Sequence, residues 1–94
     1  MTEDAIDELD FRRRRIAYRA WHRGTRESDM MVGGFADRYS AGWSVAELDW
    51  FETLLEENDV DIMAWGLGRQ PAPEHLQGAL MEAFLRLDFI GLSR

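Results

Sequence analysis

No cysteine occurs in the 94 residues. A disulfide framework, a thiolate metal centre and a cysteine nucleophile are therefore excluded. Lysine is missing as well, since all 11 basic residues are arginine. That removes Schiff-base chemistry and a lysine general base. The 2 histidines, His22 and His75, stand in unrelated surroundings and do not suggest a metal site. No run approaches the roughly 18 apolar residues needed to cross a bilayer. The opening Met1-Thr2-Glu3-Asp4 is acidic, unlike the basic start of a secretory signal. The expected location is the cytoplasm, with no membrane insertion. No segment alternates convincingly with period two, so no sheet is expected. Gly66-Leu67-Gly68 lacks the preceding strand of a phosphate-cradling loop. Ser28, His22 and Asp29 can be drawn as a triad, yet no oxyanion hole is recognisable beside them. The chain is not expected to be an enzyme.

What is present is segregated charge. Seven of the 11 arginines fall between Arg12 and Arg26, with no acidic residue among them. The whole chain carries -7, so the remainder carries -14. A cationic helix is thus set in an acidic protein. Its arginines either clamp an anionic partner through forked hydrogen bonds or pair internally with the acidic helices.

The length suits one domain, residues 1–94, with residues 1–6 as a disordered tail. The first helix is expected from Asp7–Asp10 to about Arg23. Leu9, Ile16 and Ala20 lie on its buried side, with Ala17 and Trp21 beside them. Gly24 stops this helix. The second helix is expected from Glu27–Asp29 to Tyr39, with Met31 and Phe35 inward. Gly33-Gly34 inside it costs about 1 kcal/mol per glycine against alanine, which points to close packing, a kink or a place where another backbone comes close. Ser44-Val45-Ala46-Glu47 reads as a capping box opening the third helix. Val45, Leu48, Phe51, Leu54 and Leu55 form its inward stripe, and Trp50 marks either a second buried face or an exposed contact. Asn58-Asp59 caps a short fourth helix, Val60 to Leu67. Pro73 sits in the first turn of the fifth, whose stripe is Leu76, Ala79, Leu80, Ala83, Phe84 and Leu87. The apolar tail 89–92 is expected to fold back. The fold class is all-α, a compact antiparallel bundle of five short helices.

Charge asymmetry without catalytic groups points to binding. Arg23-Gly24-x-x-Glu27 places a guanidinium, a bare backbone and a carboxylate within one turn. Arg19 lies one turn before them, and Arg26 stands between Gly24 and Glu27. A partner's chain can approach the glycine closely while opposite charges fix its register.

The run Arg15-Ile16-Ala17-Tyr18-Arg19, then Trp21 to Asp29, resembles the succinate dehydrogenase flavinylation factors, whose hallmark is Arg-Gly-x-x-Glu. The likeness continues through Gly34-Phe35-Ala36, the Ser44–Glu47 cap, Phe51, Leu54-Leu55-Glu56 and Asp59-x-Asp61-Ile62-x-x-Trp65. The resemblance implies a five-helix bundle that binds the flavoprotein subunit of succinate dehydrogenase, with that of fumarate reductase as a candidate second partner. It implies that the factor promotes covalent attachment of FAD to a histidine of that subunit. The factor itself is expected to be a monomer with no cofactor of its own, acting on FAD held by the partner. Arg23, Gly24 and Glu27 match the hallmark as partner-contacting residues, and Asp29 matches an acidic position after it. Two departures stand out: Ser28 replaces an expected apolar residue, and Val60 an expected proline. The alternative reading is an arginine-rich helical module binding nucleic acid or another anionic partner.

Overall fold

A computed structural model describes residues 2–89, with side chains from residue 8 onward. Five α-helices follow one another: α1 Thr2–Trp21, α2 Arg26–Tyr39, α3 Val45–Leu55, α4 Asp59–Gly66 and α5 Ala79–Arg86. Two single 3₁₀ turns, Ser40–Gly42 and Glu74–Leu76, complete the regular structure, and there is no strand among the described residues.

α2, α3 and α4 start where side chains satisfy free backbone donors. Thr25 is extended and its Oγ1 accepts from the Ser28 N–H at 3.1 Å, which opens α2. Ser44 and Glu47 form the expected reciprocal box at the start of α3. Asn58 alone caps α4, accepting from the Asp61 N–H at 2.9 Å. Asp59, expected to share that cap, is turned elsewhere. Gly68 (φ 75°) closes α4, with the Arg69 N–H reaching the Ala64 carbonyl at 2.8 Å.

The core centres on Phe35 of α2, which is fully buried. Its ring lies 5.1–6.2 Å from those of Tyr39, Trp43, Trp50, Phe51, Phe84 and Phe89. Tilted and edge-on contacts of this kind add stability beyond the area they bury. Leu48, Leu54 and Ile62 extend the core through α3 and α4. Ile16 and Ala20 seal it from α1, with Leu9 packed at the edge.

Several expectations are corrected. α1 begins at Thr2 rather than at Asp7–Asp10, and it stops at Trp21 rather than Arg23. The early stop has a local cause: the Arg23 N–H is donated to the Asp29 carboxylate instead of the helix ladder. Trp21 is not a core residue but stays 36% exposed. Val45 points outward because it occupies the first turn of α3, beside its cap. Trp50 is a second inward face, its indole N–H donating to the Leu76 carbonyl at 2.9 Å. Helix five does not begin at Pro73: that proline leads into the 3₁₀ turn, and Gly78 (φ 142°) precedes α5. Leu76 is buried from the turn, Met81 and Phe84 from the helix, while Ala79 is exposed. Phe89 does fold back onto Phe35 and Phe84; Ile90 to Leu92 lie outside the described residues.

The glycine pair in α2 makes room for rings. A Cβ on Gly33 would sit 2.3 Å from the Trp21 indole, and one on Gly34 3.3 Å from the Phe89 ring. Close packing, not a kink, is therefore what Gly33-Gly34 serves. Trp21 lies flat across α2 and its Nε1 donates to Asp37 at 3.2 Å.

Candidate functional site

α1 and α2 meet in a four-residue corner, His22-Arg23-Gly24-Thr25. Gly24 adopts φ 131°, a conformation that costs an L residue of order 1–3 kcal/mol. It is exposed, and a Cβ there would meet only the Asp59 carboxylate, 3.9 Å away. The peptide at Gly24 is thus bare and reachable from outside.

What holds the corner lies beneath it. The Arg23 side chain, only 10% exposed, turns inward. Its Nε donates to Asp59 at 2.8 Å, its Nη1 to the Leu55 carbonyl at 2.7 Å and its Nη2 to the Glu57 carbonyl at 2.6 Å. Leu55 and Glu57 bracket the end of α3, where carbonyls lack helical partners. One guanidinium therefore ties the α1–α2 corner to the α3–α4 turn. From the other side Asp29 accepts from the Arg23 N–H at 2.6 Å and, longer, from the Gly24 N–H at 3.4 Å. Ser28 is fully buried, and its hydroxyl lies 2.7 Å from Thr25 Oγ1 and 3.4 Å from Asp59. Its unexpected polarity is thus satisfied within the fold and does not alter the outer surface.

The six sequence-derived residues separate into two layers. Arg23 and Asp29 build the corner from within. Gly24, Arg26 and Glu27 are exposed, and neither Arg26 nor Glu27 makes a side-chain hydrogen bond or ion pair among the described residues. Arg19 is intermediate: it pairs with Glu56 at 2.7 Å, with the two side chains 38% and 72% exposed. A pair that open contributes at most about 1 kcal/mol, so Arg19 can exchange Glu56 for another carboxylate at little cost.

The remaining arginines show the same division. Arg12 bridges α1 to α3 through Glu52 and Asp49, whose hydrogen bonds raise its pKa further above its already high ordinary value. Arg13 donates to the Trp43 carbonyl at 2.9 Å. Arg14 pairs with Asp10 one turn away, and Arg15 lies over the Phe11 ring at 5.8 Å. Much of the cationic ridge is thus internal wiring between α1 and the acidic helices.

Trp21, His22, Thr25 and Met30 join Gly24, Arg26 and Asp29 in lining an open concavity of about 660 Å³ at the corner. His22 Nδ1–H donates to the Tyr18 carbonyl at 2.7 Å and its ring stacks on Tyr18 at 3.9 Å. With Ser28 buried under Thr25 and His22 outside on Tyr18, the drawn triad does not assemble. No cluster of three potential metal ligands occurs among the described residues, and no helix among them is long and apolar enough to cross a membrane.

A family model described as flavinator of succinate dehydrogenase matches residues 14–88. The FAD assembly factor SdhE of Acetobacter pasteurianus is 43% identical over 70 residues, covering 74% of this chain and 64% of that protein. The mitochondrial succinate dehydrogenase assembly factor 2 of Debaryomyces hansenii is 42% identical over 59 residues, 63% of this chain and 42% of that one. Its namesake in Danio rerio is 35% identical over 82 residues, 85% of this chain and 52% of that one. The chain thus spans between 42% and 64% of the length of these relatives. No solved structure matches it. With the Arg-Gly-x-x-Glu corner lying inside the matched span, the chain belongs to the family of flavinators of succinate dehydrogenase.

Proposed function

We propose that the chain binds the flavoprotein subunit of succinate dehydrogenase and promotes covalent attachment of FAD to it, performing no reaction step of its own. The observation that carries this reading is the bare, exposed peptide at Gly24, buttressed from below by Arg23 and Asp29. A rigid backbone corner presents its surface without an ordering cost at the moment of binding. Arg26 and Glu27 supply opposite charges beside it, in place of Arg23, whose side chain is turned inward. The histidine that receives the flavin belongs to the partner, as does the FAD. The factor acts as a monomer in the cytoplasm and binds the attachment-competent state of the flavoprotein more tightly than the others. Its work is a population shift, which needs differential contacts and no nucleophile.

The nucleic-acid reading is less well supported by the geometry. A polyanion requires a row of cations facing outward. Here Arg12, Arg13, Arg19 and Arg23 are directed onto acids or carbonyls of the same chain.

The test is co-expression of the flavoprotein subunit with and without this chain, followed by detection of covalent flavin on a denaturing gel under ultraviolet light. Covalent flavin is expected to rise strongly with the wild-type chain and to fall at least tenfold when it carries Glu27→Arg. Glu27 is the cleaner position, because a side chain at Gly24 strains the backbone and confuses docking with folding. Equal flavin with and without the chain overturns the reading; normal incorporation with Glu27→Arg overturns the corner's part in it.

A further inference from the structure

The outward face of α1 carries what an outward face ordinarily lacks. A surface helix turns its polar residues to water, opposite its apolar stripe. At about 100° per residue, Leu9, Ile16 and Ala20 cluster on one side of α1. Phe11, Arg15 and Tyr18 fall within an arc of about 60° on the opposite side, and His22, just past the helix, continues the row by stacking on Tyr18. The helical part of the row is about 10 Å long at 1.5 Å per residue. Phe11 and Tyr18 are each 64% exposed. Arg15 lies over the Phe11 ring at 5.8 Å, and the His22 ring stacks on Tyr18 at 20° between planes. The row is therefore ordered before anything binds, which lowers the entropy cost of using it.

We propose that this row is a second contact surface for the same flavoprotein subunit, fitting an apolar groove edged by carboxylates. The inference rests on the function proposed above. Three observations choose this occupant. His22 belongs both to the row and to the wall of the corner concavity, so the two surfaces are continuous. Exposed aromatics with arginine are the residue types enriched where proteins meet. Arg15 has no acidic partner among the described residues, in a chain of net charge -7, so the complementary surface is acidic. A second copy of this chain meeting the row across a two-fold axis would bring the same row, which holds no carboxylate for Arg15.

The test is calorimetric titration of the purified chain into the purified flavoprotein subunit, with circular dichroism and thermal melting of each variant. The Phe11→Ser/Tyr18→Ser double variant is expected to bind at least tenfold more weakly with an unchanged melt. Arg15→Glu is expected to weaken binding several-fold, more at low salt than at high. Affinity of both variants within twofold of wild type, while Glu27→Arg binds weakly, overturns the row and leaves the corner standing. Absence of binding by the wild-type chain overturns both. Sedimentation and titration with a labelled single-stranded oligonucleotide complete the set. A dimer that the double variant dissolves, or oligonucleotide binding that it abolishes, with flavoprotein affinity intact, assigns the row elsewhere and overturns the proposal.

Discussion

Arg23 shows how far one residue's role depends on partners distant in the chain. Its neighbours in sequence suggest a contact group at an exposed turn. Its neighbours in space are Asp59 and two carbonyls at the end of α3. Nothing local in the sequence reveals a pairing across 36 positions. Removing the guanidinium leaves Asp59, itself only 25% exposed, without its cation. Loss of such a pair costs about 3–5 kcal/mol. Arg23→Ala is accordingly expected to lower the urea midpoint sharply, whereas Glu27→Ala changes stability by no more than about 0.5 kcal/mol. A wild-type midpoint for Arg23→Ala would falsify the clamp. The same separation bears on Ser28, whose hydroxyl lies 3.4 Å from Asp59, 31 positions away.

Elements whose determinants are local were legible; those set by tertiary packing were not. The box at Ser44 and Glu47 lies within four residues and is present as read. Ser44→Ala is expected to cost about 1 kcal/mol. For a chain of this size that lowers the melting temperature by about 4–8 °C, measurable by circular dichroism. Helix five was misplaced because Pro73 is a permissible helix start, yet Gly78 at φ 142° sets the boundary five residues later. Leu76 kept its apolar role while changing element, so the stripe was visible and its first turn was not. On α1 the spacing places Ile16 and Ala20 correctly on the buried side, but it sets Trp21 beside them, where the indole stays 36% exposed. The absence of a side chain at Gly33 is what lets its ring lie on the surface of α2 instead.

At the scale of the molecule, the cationic helix is less a projecting rod than a spine to which the acidic helices are fastened. Arg12 and Arg19 reach α3 and its end, and Arg23 reaches the start of α4. The charge segregation was legible as composition; its division between internal ties and outward groups required coordinates. The corner is the place where spine and surface coincide. It also carries an optical consequence. Trp43 and Trp65 are 5% exposed, and the Trp50 indole is engaged with Leu76, whereas Trp21 is 36% exposed on the wall of the concavity. A partner closing over the corner strips water from that indole and moves its emission to shorter wavelength. In a Trp21→Phe chain the shift disappears, so docking can be timed in solution with no dye attached.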